Sequence, residues 1–406
     1  MGERPYRVLF VLTHPVQYMS PILREMSKHP KLNITAAYCS LQGAKPELDP
    51  DFGREVAWDV PLLDGYAWVH VPNRSLHPGL ARFFGLVNLG LWKMVRARDF
   101  DAVVILTGYR YAAFWIAATA AKVKGLPILF GTDAHDVAPR DGGNWKIRVK
   151  KWLWPLLYRL ADVVIVPSTG GVNLMRSLGI SPERVVLTPY SVDNKWWIEQ
   201  AAQVNRSAVR AGWGIPDDAS VVLFCAKLQP WKRPHDLLRA FAKANVEGSY
   251  LIFSGDGPLR AALEAEGQSL RIADRLRFLG FVNQSGLPPV YRASDLFVLP
   301  SNYEPFGVVV NEAMLSGCAV IVSDRVGARL DLVRNRENGF VFPVGDIDAL
   351  AALLQEILPD RKKLQQMGIN ARQRMSEWSP EQNIEGVIRA IELALRMRSP
   401  KGRPRQ

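Results

Sequence analysis

Cysteine is scarce: the 406 residues hold three, at positions 39, 225 and 318. Each lies in or beside an apolar run and none belongs to a CxxC pair, so they are read as small buried hydrophobes in a reducing cytosol rather than as a disulfide framework. Long apolar runs are missing as well. No stretch reaches the roughly 18 continuous apolar residues that span a bilayer. The run Arg7-Val-Leu-Phe-Val-Leu12 is too short for a signal core, lacks a small-residue cleavage site, and is expected as a first strand. No HExxH or CxxC motif is present, so no metal and no cofactor is expected. Acidic residues are outnumbered, 39 against 51 Lys and Arg, a net charge of +12. Glycine is absent between Gly2 and Gly43. No internal repeat or low-complexity tract is found.

At 48% hydrophobic and 22% charged, the chain has the composition and length for two α/β units. Short apolar runs at 7–12, 33–38, 66–71, 102–106, 127–130, 163–167 and 185–188 alternate with segments of helix length, as in a parallel doubly wound sheet. A second series begins after Gly212-Trp-Gly-Ile-Pro216, at 220–225, 250–254, 276–279, 296–300 and 319–323. The expected domains are therefore 1–195 and 206–378. Trp378-Ser-Pro-Glu381 opens a last helix over 379–397, with Ser379 as N-cap and Pro380 at the first helical position. Residues 398–406 form a basic tail.

The segment Glu304-Pro-Phe-Gly-Val-Val-Val-Asn-Glu312 places two carboxylates eight positions apart. It follows the strand-like run Leu296-Phe-Val-Leu-Pro300, so Glu304 falls at a strand's carboxyl end, where ligands bind in open parallel sheets. The helix starting near Val308 offers unpaired N–H groups and a positive dipole end to an anion. Two turns further in, Glu312 can accept from vicinal hydroxyls such as those of a ribose. Two glutamates on a solvated helix are the bland alternative, and the surrounding residues weigh against it. An anion held beside two glutamates requires cations. Lys227 and Lys232, in Cys225-Ala-Lys-Leu-Gln-Pro-Trp-Lys-Arg-Pro-His-Asp236 after another strand, supply them.

From Leu276 to Asp324 the sequence reads Leu-Arg-Phe-Leu-Gly-Phe-Val, then Tyr291-Arg-Ala-Ser-Asp-Leu-Phe-Val-Leu-Pro-Ser, the two-glutamate segment, and Ala313-Met-Leu-Ser-Gly-Cys-Ala-Val-Ile-Val-Ser-Asp324. This resembles glycosyltransferase family 4, the retaining enzymes of GT-B fold. The resemblance implies two Rossmann-like domains facing across a cleft, the first completed by the helix 379–397. It implies that Glu304 faces the donor sugar and Glu312 the ribose, with backbone N–H groups of Phe306, Gly307 and Val308 near the diphosphate and sugar. Lys227 and Lys232 stand where the family has an arginine and a lysine five positions apart. The first is lysine here, which lacks arginine's bidentate fork, and Arg233 replaces the usual glycine. Gly255, in Gly255-Asp-Gly-Pro258, serves either close ligand approach or a tight turn. Phe281 and Val282 align with the family's nucleobase position.

The acceptor belongs to the amino-terminal half. Thr13-His-Pro-Val-Gln-Tyr-Met-Ser-Pro21 replaces a loop in which many relatives carry a pair of glycines, leaving His14, Gln17 and Tyr18 as donors at the strand end. His14 alternatively caps the following helix. In Gly131-Thr-Asp-Ala-His-Asp136, His135 resembles the family histidine that contacts the donor sugar, with Asp133 as the competing choice.

Residues 74–160 hold 14 Lys and Arg against five Asp. Within them, Trp145, Val149, Trp152, Leu153, Leu156 and Leu160 form a helical stripe expected to be core. A second line, Ile147, Trp154 and Tyr158 with Lys150 and Lys151, is expected at the surface, so that 145–159 together with 74–98 suits anionic headgroups. The expectation is a cytoplasmic, metal-independent, retaining glycosyltransferase with a peripheral contact at the inner face of the membrane. It takes a UDP- or GDP-sugar and a glycan or lipid-linked acceptor in polysaccharide or glycolipid synthesis, and no nucleic acid. The rival readings are a sugar-nucleotide epimerase of similar fold and a non-catalytic sugar-nucleotide or membrane-binding protein.

Overall fold

The strand Tyr6–Leu12 is buried along most of its length because it lies inside a sheet with neighbours on both edges. It pairs in parallel with Leu32–Tyr38 and with Ala102–Ile105. The computed structural model describes residues 4–49, 54–137 and 144–398. They form two compact units, Met1–Glu47 with Pro61–Tyr190 and Pro380–Gln406, and Leu48–Val60 with Ser191–Ser379. These boundaries differ from the expected 1–195 and 206–378: 48–60 and 191–195 belong to the second unit. Residues 399–406, most of the expected basic tail, lie outside the described residues.

The first unit is built on seven strands in the spatial order Trp68–His70, Leu32–Tyr38, Tyr6–Leu12, Ala102–Ile105, Ile128–Gly131, Val163–Val166 and Val185–Leu187. All its pairings are parallel. The helix Pro380–Arg398 belongs to this unit and buries Ile384, Val387, Ile388 and Ile391 against Val8, Phe10 and Leu129. Its polar side is fastened too, since Asn383 donates to the Pro189 carbonyl at 2.8 Å.

The second unit has six parallel strands in the order Leu276–Gly280, Ser249–Ser254, Ser220–Cys225, Leu296–Leu299, Ala319–Ser323 and Gly339–Phe342. The chain builds outward one way from Ser220–Cys225 and then returns to its other edge, which is the reversal of a Rossmann sheet. The last strand was not expected from the sequence: four residues opening on glycine give too little pattern. Below the reversal sits a buried charge cluster. Asp295 pairs with Arg206 and, at 2.7 Å, with Arg210, and also accepts from the Val221 N–H at 2.8 Å. Arg210 is fully buried, and its other N–H groups reach the carbonyls of Ala293, Asp217 and Ala219, each at 2.9 Å.

One helix reverses the expected orientation. In Asn144–Tyr158 it is Trp154, Leu157 and Tyr158 that enter the core, while Trp145, Val149, Trp152, Leu153 and Leu156, with Leu160 just beyond, are exposed. The cause lies in the polar tips of the buried aromatics. Trp154 Nε1 donates to the Tyr109 hydroxyl at 2.9 Å, and the Tyr158 hydroxyl donates to Thr132 Oγ1 at 3.2 Å while its ring stacks on Phe130. Both are thus buried with their hydrogen bonds made.

Asp295→Asn leaves Arg210 buried without a counter-charge. Breaking such a pair costs about 3–5 kcal/mol, so the urea midpoint of the second unit is expected to fall sharply, as followed by circular dichroism. An unchanged midpoint would show that the cluster is not the clamp described.

Candidate active site

The two central strands of the second sheet pair with Val222 opposite Leu296 and Leu223 opposite Phe297. Their carboxyl ends therefore emerge side by side, one into the turn Pro230–Lys232 and the other into the loop before Val308–Leu315. The Asn302 N–H donates to the Trp231 carbonyl at 2.9 Å, tying the loops together. Above that tie, Lys232 Nζ pairs with Glu304 Oε2, both side chains about six-sevenths removed from solvent. Arg233 follows at φ +52°, a left-handed conformation that costs a non-glycine residue roughly 1–2 kcal/mol. This is the position where the family pattern has glycine. Arg233 holds it while its guanidinium pairs with Asp236.

Gly307 ends the Glu304 loop at φ +96°, and a Cβ there would stand 3.1 Å from Glu304 Cγ. Glycine thus frees the helix start at Val308 while leaving room for the carboxylate. The opposite side of the loop is pinned, because Gly327 N–H donates to the Glu304 carbonyl at 3.0 Å and Ala328 N–H to the Phe306 carbonyl at 2.9 Å. Phe306 is buried, its ring nearly parallel to that of Trp378. Gly255 packs instead on protein: a Cβ there would fall 2.0 Å from the Ala226 carbonyl, beside Lys227. Of the two readings for this glycine, the geometry accounts for close backbone packing and a turn at φ +133°.

Glu312 lies deeper, 3% exposed, and its Oε2 accepts from the fully buried Tyr291 hydroxyl at 2.9 Å. Burial pushes its carboxyl up to about 7, against partial compensation from hydrogen bonds with Tyr291 and Gln284. Phe281 and Val282 leave the strand Leu276–Gly280 towards Asn283 and Gln284. Trp58 faces Phe281 with ring centroids 6.5 Å apart, and Asn283 donates to the Ala57 carbonyl at 2.8 Å. Sequence reasoning assigned no role to Trp58, Gln284 or Tyr291. Tyr291 had a usable signal, since it opens the run into the Leu296 strand.

In the first unit the loop after Tyr6–Leu12 carries His14, Gln17 and Tyr18. The helix Met19–Lys28 begins behind Tyr18 with no side-chain cap, so His14 is not its cap. Instead His14 Nδ1 is buried with no hydrogen-bond partner among the described residues, and burial lowers the imidazole's pKa, holding the ring neutral. Gln17 is half-buried in the same loop. Tyr18 accepts a hydrogen bond from the Tyr190 hydroxyl at 3.1 Å, with the rings edge-on. Burial, with the Asp133 carboxylate contributing, raises both phenols above their ordinary range. Asp133 lies near enough to act on both phenols, and the partnership of Tyr190 with Tyr18 was not foreseen. His135 lies half-buried in the loop after Ile128–Gly131.

A parallel sheet that reverses its strand order, with charged loops at the carboxyl edge of the reversal, is a Rossmann-type α/β unit, whose switch point is where open parallel sheets take ligands. The family follows from comparison: residues 205–374 match the model of glycosyl transferases group 1, and residues 35–191 match a glycosyl transferase 4-like domain. The chain belongs to the family 4 type of glycosyltransferases. It is 33% identical over 183 residues, 44% of this chain and 46% of the relative, to an uncharacterized glycosyltransferase of Methanocaldococcus jannaschii. Over 288 residues, 68% of this chain and 60% of the relative, it is 30% identical to a D-inositol 3-phosphate glycosyltransferase of Rhodococcus jostii. The match thus spans about half to three-fifths of these curated relatives. Among solved structures, Anabaena HepE in complex with UDP superposes with a TM-score of 0.73 at 20% identity, covering 95% of this chain and 99% of that one. WaaG, a glycosyltransferase involved in lipopolysaccharide biosynthesis, gives 0.63 at 16%, covering 93% and 98%. These likenesses establish the GT-B fold.

Glu312 carries a pH signature. Its folded pKa exceeds the ordinary 4.5, so the folded state keeps a proton that the unfolded chain releases. The associated stability is fully present below about pH 4.5, is lost as pH rises through about 7, and is flat above. The loss is on the order of 3 kcal/mol. Glu312→Gln is expected to flatten that part of the stability profile, measured by urea unfolding across the window. An identical slope in the variant would assign the dependence to another group.

Proposed function

We propose that this chain is a metal-independent, retaining glycosyltransferase that moves a sugar from a UDP- or GDP-sugar to a glycan or lipid-linked acceptor. Cell-surface polysaccharide or glycolipid synthesis at the inner face of the membrane is the setting this reading implies. The observation that carries it is the Lys232–Glu304 pair at the strand reversal, beside the start of Val308–Leu315. HepE, of the same fold, has been crystallised with UDP and with UDP-glucose.

In this reading the diphosphate displaces the carboxylate as partner of Lys232, and Glu304 is released to accept from hydroxyls of the sugar. The bond between the anomeric carbon and the phosphate oxygen breaks with its electron pair going to the phosphate. Lys227, Lys232 and the N–H groups around Gly307 stabilise that charge. The acceptor oxygen bonds to the anomeric carbon on the same face and passes its proton to the departing phosphate, so configuration is retained. His135 hydrogen-bonds a sugar hydroxyl, while His14, Gln17, Tyr18 and Asp133 serve the acceptor. Phe281 and Val282 meet the base, and Glu312 the ribose.

Nucleotide release from UDP- and GDP-sugars, with and without a membrane extract, tests this directly. Lys232→Ala and Glu304→Ala are each expected to lower turnover by about 10²–10³, the range for a lost charge-stabilising group, with thermal unfolding checked in parallel. Neither release nor binding by the unaltered protein would sink the enzyme reading, and equal turnover in the variants would sink the site.

A ribose diol donating to Glu312 favours its ionised form. Nucleotide binding near pH 7 is therefore expected to release protons, because burial raises this carboxyl to about 7. Calorimetry in buffers of different ionisation enthalpy measures that number. Unchanged release in Glu312→Gln would remove the ribose role.

A further inference from the structure

The exposed side of Asn144–Tyr158 is more apolar than its buried side. Trp152 is 72% exposed and Trp145 66%, with Val149, Leu153 and Leu156 open as well. At 3.6 residues per turn these positions fall within an arc of roughly 100°. Arg148 and Arg159 lie along one border of that arc and Lys146 along the other. The stripe continues onto the neighbouring helix Ala112–Lys124, where Trp115 and Lys122 line an apolar groove together with Leu157 and Leu160. Beyond that helix's amino end lies a second apolar hollow, lined by Leu76, Phe83 and Phe84 together with Arg74 and Arg82. It is anchored to the same region by Tyr111, whose hydroxyl donates to the Leu80 carbonyl at 2.8 Å. None of the segments 74–98, 112–124 and 144–160 contains an acidic residue.

We propose that this face, centred on Trp145, Val149, Trp152, Leu153 and Leu156, docks on an anionic lipid surface, its aromatic and aliphatic side chains entering the headgroup boundary and its arginines and lysines meeting phosphate. The proposal deepens the reading above by naming the face that meets the bilayer. It also replaces the Ile147, Trp154 and Tyr158 line expected from the sequence, two of whose members are core. Among the described residues no helix is long and apolar enough to cross a membrane. An apolar stripe with cationic borders binds at the interface plane, where buried apolar area and attraction to anionic lipid add. A second copy of the chain is the poorer occupant. A two-fold interface would set these one-signed borders against each other.

The full-length protein is mixed with phosphatidylglycerol-containing and with pure phosphatidylcholine vesicles, without sugar nucleotide, and followed by flotation and tryptophan emission. Binding to the anionic vesicles with a blue shift is expected, weakened by high salt. The double variant Trp152→Ser, Leu156→Ser alters only exposed positions and is expected to reduce partitioning at least about tenfold while leaving nucleotide release in vesicle-free solution unchanged. No binding to anionic vesicles, or binding unaffected by the double variant, overturns the proposal. So does a dimer in solution that the double variant dissolves while vesicles are ignored. Nucleotide release is read separately, so failure of the lipid face and failure of the transferase reading are distinguishable.

Discussion

The parallel pairing of Ser220–Cys225 with Leu296–Leu299 is the contact on which the second unit's chemistry depends. Two parallel strands fix which loops become neighbours, and here they bring a lysine and a glutamate together that are 72 positions apart in the chain. The pairing is secured from below. Asp295 accepts from the Val221 N–H and gathers two arginines, one of them fully buried. A register slip would separate that carboxylate from both strand and cations, leaving buried charge unpaired, so the clamp at the amino ends sets the positions of Lys232 and Glu304 at the carboxyl ends. Strand length transmits the placement without any further device.

The two glutamates of one segment have been given opposite surroundings. Glu304 sits in a loop whose carbonyls are held by Gly327 and Ala328 and whose carboxylate is already matched by a cation. Glu312, about one turn into the helix, has hydrogen bonds but no cation partner among the described residues, and burial raises its carboxyl to about 7. Under the proposed function, the first is a charge that a diphosphate releases by taking its partner, and the second is a carboxyl that a ribose diol tips between its protonated and ionised forms. Spacing along the helix creates this difference: eight residues move a side chain from the sheet edge into the packed layer behind it.

Much of this was legible because it depends on short-range pattern. Apolar runs marked most sheet strands, and Glu304, Gly307 and Lys232 stand at strand ends that runs of Leu, Phe and Val announce. Tyr190 was not legible, since its tie to Tyr18 joins positions 172 residues apart through the fold alone. Trp58 escaped for a similar reason, because 48–60 belongs to the second unit although it precedes most of the first in sequence.

Helix 144–158 shows where pattern reading fails on principle. Both of its sides carry large apolar groups, and hydrophobicity alone ranks the Trp145 to Leu156 side as the core. Packing decides otherwise through hydrogen bonds: Trp154 and Tyr158 each bring a donor, and each meets an acceptor in the unit's interior, on Tyr109 and Thr132. A buried aromatic whose polar tip is satisfied retains its full apolar contribution. No acceptor partners identify themselves in the local sequence. The more hydrophobic side is therefore the one left facing outward, and a helix that displays tryptophan between arginines and lysines has a surface whose composition is unexplained by its own fold.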